Sequence, residues 1–418
     1  MTRIRCVTSS LLLLAAALPL TAGDAPPPKE AATILDAFSE GTFGGGARYR
    51  LDFLDQDNFT KDAVASTLRL NLNYRTLPFH GFSGYLELYD NAVIGNQLYW
   101  NLQNGFNDRP LIADPPGDGV NEAYGRYANK DLLDTTITVG RQLFTINDEV
   151  MVTASRYRQN NNRLDASSIE MHPLPDLMVQ YAYVWGHIDV FDFYNPMSTH
   201  IGNIKYGKKD IGSISAYGIM LNYDDHNNPT RDVTTYGARI DGPFKLDEKW
   251  SVLYEADIAK QVDSGDNTQN IDADYLMARV GVSYEKWYAS IGYRHQSGAD
   301  GSSAQPFEAS WLGYPWPWRG DTEQMVLTPA DGLNTIMVWA GGAIPAVPGL
   351  GFDLFYFKFD SDVNSIDYGS EYSAALNYSM PFAPKWWVSG LIAKSSQGDV
   401  NAAYFDATRA VFMTGYSF

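Results

Sequence analysis

Thr408-Arg409-Ala410-Val411-Phe412-Met413-Thr414-Gly415-Tyr416-Ser417-Phe418 is the stretch that decides the fold. Thr408, Ala410, Phe412, Thr414, Tyr416 and Phe418 fall on one face of an extended chain, and Arg409, Val411, Met413, Gly415 and Ser417 on the other. A period of two sustained over such a length marks a β-strand with two different surroundings. The same period recurs upstream. Leu68, Leu70, Leu72 and Tyr74 alternate with Arg69, Asn71, Asn73 and Arg75, and Trp250, Val252, Tyr254, Ala256 and Ile258 with Ser251, Leu253, Glu255 and Asp257. Leu276, Ala278, Val280, Val282 and Tyr284 likewise alternate with Tyr275, Met277, Arg279 and Gly281. After residue 22 no segment approaches the ~20 consecutive apolar residues of a helical span.

A soluble sandwich would also alternate, so the connections discriminate. One set is short and often carries Pro: Leu77 to His80, His172 to Asp176, Lys208 to Asp210, Glu285-Lys286, Ile344 to Pro348 and Pro381 to Lys385. The other set is long, polar and acidic: 90–119, 143–163, 188–199, 224–232, 262–271, 297–332 and 397–404. Short and long connections take turns, which is the pattern of a transmembrane barrel with short inner turns and longer outer loops. The expected fold is therefore all-β, a closed antiparallel barrel of about 18 strands. Its strands are expected at 43–54, 64–76, 82–90, 120–128, 134–143, 164–172, 177–187, 200–207, 212–223, 233–242, 249–261, 272–284, 287–297, 334–343, 350–359, 369–379, 386–396 and 405–418. Residues 150–157 also look strand-like, but including them gives an odd count, so they are assigned to an outer loop that could fold inward.

Composition fits this reading once alternation is taken into account. The 418 residues are 45% hydrophobic, 14% aromatic and only 19% charged, with a net charge of −18. An acidic chain has no broad attraction for nucleic acid, which excludes that class of partner. Mean hydropathy is slightly negative, as expected when only alternate residues meet lipid. Backbone groups crossing lipid must all be paired internally, and strands achieve that only by closing on themselves. Trp250, Trp287, Trp386 and Trp387, with Tyr254, Tyr284 and Tyr293, cluster at expected strand ends, where amphipathic rings favour the headgroup level. The final Tyr416-Ser417-Phe418 resembles the sorting signal read by the barrel assembly machinery, with Tyr416 and Phe418 as its aromatic positions.

The first residues read as a secretory signal peptide over 1–22: Arg3 and Arg5, an apolar run from Leu11 to Leu20, then Thr21-Ala22-Gly23. Cleavage is expected after Ala22, with Gly23 as the alternative. The only Cys, Cys6, leaves with that segment, so the mature chain uses no disulfide. Arg3 and Arg5 leave too and no acid does, which takes the charge from −18 to −20. Residues 23–42 are expected to be a periplasmic lead-in, stiff and solvated over Asp24 to Glu30 with its Pro26-Pro27-Pro28 run, and 43–418 the barrel.

Alternation assigns Arg48, Arg50, Arg69, Arg75, Arg126, Arg239, Arg279, Arg294 and Arg409 to the lumen, together with Asp52, Glu87, Glu122, Asp241, Glu255, Asp257 and Glu371. The planar guanidinium donates paired hydrogen bonds to carboxylates, so such a lumen could recognise anions. The alternative is that these groups pair with one another and stiffen the wall. Arg48, Arg50, Arg69 and Arg75, on two neighbouring strands, are the first candidates for selectivity, with Glu87 and Glu255 as lumen acids. Arg156, Arg158 and Arg163 would line a constriction if 143–163 folds inward. Tyr85, Tyr89, Tyr275 and Tyr288 would offer rings to the lumen, for packing or as a surface for sugars. Asp55, Asp57, Asp62, Asp263 and Asp266 are read as solvated loop acids, and no cofactor or metal site is expected. Gly44-Gly45-Gly46 lacks the helix and Lys of a phosphate loop. His80, His172, His187, His200, His226 and His295 are scattered, without a Ser motif or metal-ligand spacing, so catalysis is not expected.

Several stretches resemble the alginate-export family of outer-membrane barrel proteins. They are Tyr49-Arg50-Leu51, Asp55-Gln56-Asp57-Asn58-Phe59, Lys61-Asp62-Ala63, Ala65 to Arg69, His80 to Ser83, Ala113-Asp114-Pro115 and Asn121 to Tyr124. Gly140-Arg141-Gln142, Arg158-Gln159-Asn160, Leu164-Asp165-Ala166, Thr328 to Leu333 and Asp367 to Glu371 follow in order, so the resemblance spans most of 43–418. Trp311 to Gln324, with Pro315, Trp316, Pro317 and Trp318, departs from the pattern and could form a different lid or mouth. The resemblance implies a channel in the outer membrane of a Gram-negative cell, among outer-membrane lipids and lipopolysaccharide. The first expectation is passive passage of small hydrophilic, anionic solutes. The second is export of an anionic exopolysaccharide such as alginate, with periplasmic export partners. The third is a structural or adhesion barrel without transport.

Overall fold

The computed structural model describes residues 29–224, 229–309, 311–313, 318–325, 327–399 and 404–418. The expected signal peptide with its cleavage at Ala22, the Pro26-Pro27-Pro28 run, His226 and the Pro315-Trp316-Pro317 segment lie outside the described residues.

The chain forms one 18-stranded antiparallel sheet closed on itself. In order the strands are β1 (Thr42–Gln56), β2 (Ala63–Arg75), β3 (Phe82–Val93), β4 (Gly117–Asn129), β5 (Thr135–Gln142) and β6 (Arg163–Leu174). They continue with β7 (Leu177–Ile188), β8 (Tyr194–Lys208), β9 (Gly212–Leu221), β10 (Val233–Lys245), β11 (Trp250–Asp263) and β12 (Asp272–Tyr284). The last six are β13 (Trp287–Gln296), β14 (Leu333–Ala343), β15 (Leu350–Asp360), β16 (Asp367–Ser379), β17 (Trp386–Gln397) and β18 (Ala407–Ser417). Each strand pairs with its sequence neighbour, and the seam closes where β1 meets β18 in register from Gly46↔Ser417 to Gln56↔Ala407. Closure leaves no free edge, so each strand has a hydrogen-bonded neighbour on both sides.

Burial follows the alternation. On β12, Leu276, Val280 and Val282 face outward and are exposed, while Tyr275 and Met277 are buried inside. Leu70, Leu72, Ile204, Ile214, Ile258, Ile291, Ile336, Leu354, Ile392 and Phe412 complete an outward apolar band. Trp250, Trp287 and Trp386 project outward at the short-turn end, where Trp250 packs on Tyr284 at 4.7 Å and Trp386 on Tyr416 at 5.0 Å. Trp387 departs from the expected girdle. As the next residue on the same strand it faces inward, against Val411 and Met413.

Two strand starts are corrected. Strand β8 begins at Tyr194, not at residue 200, and β4 at Gly117, because the polar tops of these strands continue the ladder above the apolar band. Residues 150–157 form no strand; they belong to a long connection that turns into the barrel, and 150–155 are buried throughout. Ahead of the barrel, Ile34–Ser39 forms a short helix, α1, capped by the Thr33 hydroxyl.

Candidate functional site

Three outer connections enter the lumen: L2 (94–116), L3 (143–162) and L7 (297–332). L3 is made of two chemically distinct halves. Phe144, Ile146, Val150, Met151 and Val152 are buried in the main apolar cluster. Beyond Ala154 the loop is polar, with Gln159, Asn160, Asn161 and Asn162 all buried. Each half finds a matching wall.

The polar half lies on β1 and β2. Arg48 and Arg69 stand directly opposite each other across the β1–β2 ladder, a placement that would repel. L3 compensates with backbone carbonyls. Arg48 donates to the Arg156 oxygen at 2.7 Å and also to that of Arg158, and Arg69 donates to that of Gln159. The Gln159 side chain accepts from Arg48 Nε at 2.9 Å and donates to Thr67 at 3.0 Å. Its backbone N–H donates to Asp114 of L2 at 2.9 Å. These arginines therefore position the loop as well as lining the lumen.

A fully buried charge network sits beside this contact, at the closing seam. Arg50 reaches Asp52 at 2.8 Å and Asp114 at 3.1 Å, with the Tyr157 ring 4.3 Å from its guanidinium carbon. Arg409 of β18 grips the same Asp52 through Nε at 2.9 Å and Nη2 at 2.6 Å, and reaches Glu323 of L7 at 2.9 Å. Glu323 also pairs with Arg158 of L3. Burial pushes the Glu323 carboxyl up, but Arg158, Arg409 and Arg50 outweigh it and hold the group below the usual carboxylate range. L2, L3, L7 and both seam strands thus share one set of charges.

Across the lumen, Arg239 of β10 reaches Asp148 of L3 at 2.8 Å and Asp241 at 3.1 Å, and pairs with Glu255. Glu255 also binds Arg279 at 2.6 Å. Burial raises the Asp148 carboxyl above its ordinary value despite Arg239, and the Glu255 charge adds to the rise. L3 is therefore tied to the barrel at both ends, to β1 and β2 on one side and to β10 on the other.

The apolar half of L3 meets L7 and the β13–β16 wall. Trp339, Phe355, Phe357 and Phe359 stack along the lumen face at 5.3, 5.6 and 5.8 Å. The Thr153 N–H donates to the Leu312 oxygen at 2.9 Å. A Cβ on Gly313 would lie 2.0 Å from the Val150 oxygen, so the two loop backbones touch only because that residue is Gly. Gly320, at φ +75°, turns the following backbone so that the Asp321 and Thr322 N–H groups point at Glu371. The described residues of the divergent segment, 311–313 and 318–324, are thus pinned inside the barrel as a lid, since Gln324 also donates to Ser395 at 2.9 Å and to the Phe405 oxygen at 3.0 Å.

The remaining expected residues fall in the lumen with different degrees of freedom. Arg75, Tyr85, Tyr124 and Arg126 form a continuous stack near the short-turn end of β2–β4. Arg75 lies 5.0 Å from the Tyr85 ring, the two tyrosines are 5.2 Å apart, and Arg126 lies 5.2 Å from Tyr124. Tyr85 donates to Glu87 at 3.0 Å and Tyr288 to Asp353. Arg163 pairs with Asp192 and faces Tyr89, while Arg156 pairs with Glu149 at 3.4 Å. Arg294 is buried under the lid, donating to the Trp318 oxygen at 3.4 Å. Arg141 and Asp165 form a two-pronged pair at 2.8 and 3.0 Å across β5 and β6.

Sequence reading did not find Asp114, Asp148, Glu308, Arg319 or Glu323 as partners. Nothing in alternation points to them, because each lies in a loop whose path is set by tertiary contacts. The one available signal was the polar Arg158-Gln159-Asn160 run after an apolar half, a composition unsuited to a solvated loop.

The fold and lumen together define a class: a closed 18-stranded barrel whose interior is narrowed by three inserted loops. No family model matches the chain, and no curated protein does. Solved structures do. The crystal structure of Acinetobacter baumannii OccAB3 aligns over 91% of this chain and 99% of that chain with a TM-score of 0.71 at 13% identity. Pseudomonas aeruginosa OccK9 (OpdG) gives 0.70 at 10% identity, and OpdL of the same organism 0.69 at 13%, each over 91% of this chain and 99% of that one. The barrel fold is shared over essentially whole chains.

Proposed function

We propose that the protein is an outer-membrane channel for passive passage of small hydrophilic solutes, with a preference for anions. The observation that carries this reading is the lumen itself: a polar, arginine-bearing passage inside a lipid-facing barrel, narrowed by loops that fixed contacts hold in place. The likeness to Occ/Opd outer-membrane porins supports it. The chain would reside in the outer membrane of a Gram-negative cell, in contact with lipid and lipopolysaccharide, after export on the 1–22 signal and recognition of Tyr416 and Phe418 by the assembly machinery. The anion preference rests on lumen arginines that are not fully buried, Arg75, Arg126 and Arg48 first, with Arg279 and Arg156 of L3 beside them. No catalytic step enters this reading.

Membership of the alginate-export family and passage of a polymer are the finer alternatives. A polymer would need L3 and L7 withdrawn from the lumen, against the buried contacts that hold them, so small solutes are favoured. Liposome swelling tests the choice. Vesicles holding the purified barrel should admit a small organic carboxylate faster than a neutral sugar or an organic cation of equal size. Equal rates for all three would remove the anion preference, and no swelling with any of them would remove the channel.

A further inference from the structure

The chain ahead of the barrel presents a surface that solute passage does not use. Helix α1 is fixed to the barrel at the short-turn end. The Ala31 N–H donates to the Pro78 oxygen at 2.8 Å, and the Leu77 N–H to the Ala37 oxygen at 3.0 Å. Tyr74 on the outer face of β2 donates its hydroxyl to the Phe38 oxygen. Ala37 is buried in this contact. On the opposite side Ile34, Leu35 and Phe38 are 64%, 73% and 62% exposed. At i, i+1 and i+4 they form one helical face. Glu40 is tied to Lys29 at 2.7 Å, away from that face.

Three large apolar side chains turned outward from a docked helix call for a covering, and the adjoining surface indicates which. Tyr74 packs on Phe43 at 4.6 Å and Phe82 on Tyr127 at 4.7 Å, all on the outward side of β1–β4. Elsewhere the short-turn rim carries Trp250, Trp287 and Trp386, yet β1–β4 contain no Trp. The apolar face of α1 thus adjoins Phe43, Tyr74, Phe82 and Tyr127 and extends the aromatic girdle on the β1–β4 side. Headgroup-level lipid is the environment that such girdles occupy, and a short amphipathic segment lies there with its apolar face toward the acyl chains.

We propose that α1 is an interfacial foot: Ile34, Leu35 and Phe38 rest in the periplasm-facing lipid boundary and fix the depth and tilt of the barrel on its β1–β4 side. This rests on the outer-membrane reading above, and the test separates the two. In a Cys6→Ser background, which frees the chain of Cys, single variants Leu35→Cys, Glu40→Cys and Val280→Cys receive a nitroxide. The folded protein is placed in phosphatidylethanolamine–phosphatidylglycerol vesicles, and accessibility to oxygen and to a water-soluble nickel chelate is measured. The expected oxygen-to-nickel ratio at position 35 is several-fold above that at position 40 and below that at position 280. A ratio at 35 equal to that at 40, with 280 in lipid, overturns the foot while leaving the barrel in its membrane. Nickel access at 280 as well overturns both. Dipolar broadening between labels at 35 overturns the lipid assignment, because a second copy would then cover the face.

Discussion

The two walls of the lumen hold the inserted loops by a different balance of means. On β1, β2 and β18, L3 is held by guanidinium groups donating to its carbonyls and, through Arg158, by the Glu323 carboxylate that Arg409 also binds, beside the Asp52 shared by Arg50 and Arg409. On β13–β16, stacked rings and aliphatic chains share one apolar cluster with the first half of L3, and the polar contacts to L7 are few, Glu371 and Arg294 among them. Apolar burial is non-directional and supplies free energy roughly in proportion to area. Buried ion pairs add little net stability, because desolvation offsets their attraction, but removing one partner strands the other charge. The apolar wall therefore supplies adhesion. The charged wall dictates where the polar half of L3 lies, and so which arginines remain open to solute.

This contrast can be broken most easily at Asp52. Asp52→Asn changes almost no volume yet leaves two buried guanidinium groups short of charge, so it should cost about 3–5 kcal/mol. The check is the urea midpoint and the temperature at which the compact gel band is lost. If Asp52→Asn proves no more harmful than an apolar swap, the charged wall has no distinct role.

Glu323→Gln comes next. It removes the charge between Arg158 and Arg409 but leaves Asp52 in place, so the expected cost is about 2 kcal/mol, in the range for hydrogen bonds to charged groups. Its pH dependence has a definite sign. Because the folded carboxyl is held below the usual range, its contribution is complete above the unfolded value of about 4.3. That contribution declines below this value and is lost as pH falls through the folded pKa. Proteolysis of L7 in the native barrel should therefore accelerate only at acidic pH, and Glu323→Gln should flatten that response.

On the apolar wall, Met337→Leu conserves volume in a buried site and should cost under about 1.5 kcal/mol. A cost matching that of Asp52→Asn would mean that this wall too is specified side chain by side chain. The smallest stability effect is expected from Arg75→Gln with Arg126→Gln, within about 0.5 kcal/mol at each site. This pair should nonetheless weaken anion preference, read as a shift in reversal potential. An unchanged potential would move the source of selectivity away from the tyrosine-arginine stack.

Much of this architecture was legible in the sequence, for a physical reason. A barrel strand meets lipid on one side and water or protein on the other, so alternation in β2, β11, β12 and β18 reports the fold directly. It failed at Tyr194 to Thr199, where both faces are polar above the lipid and a strand reads as loop. It failed as well for Asp114, Asp148 and Glu323, whose roles depend on loops meeting in three dimensions. The strand-like look of 150–157, which the even count had already assigned to a loop, arises because 150–155 are buried inside the barrel.

The central claim is that this barrel conducts through a lumen whose fixed loops leave arginines exposed to solute. Planar-bilayer recording across a KCl gradient tests it most directly. The folded protein should give discrete conductance steps with a reversal potential on the chloride side. Steps that are absent, or a reversal potential on the potassium side, would contradict it.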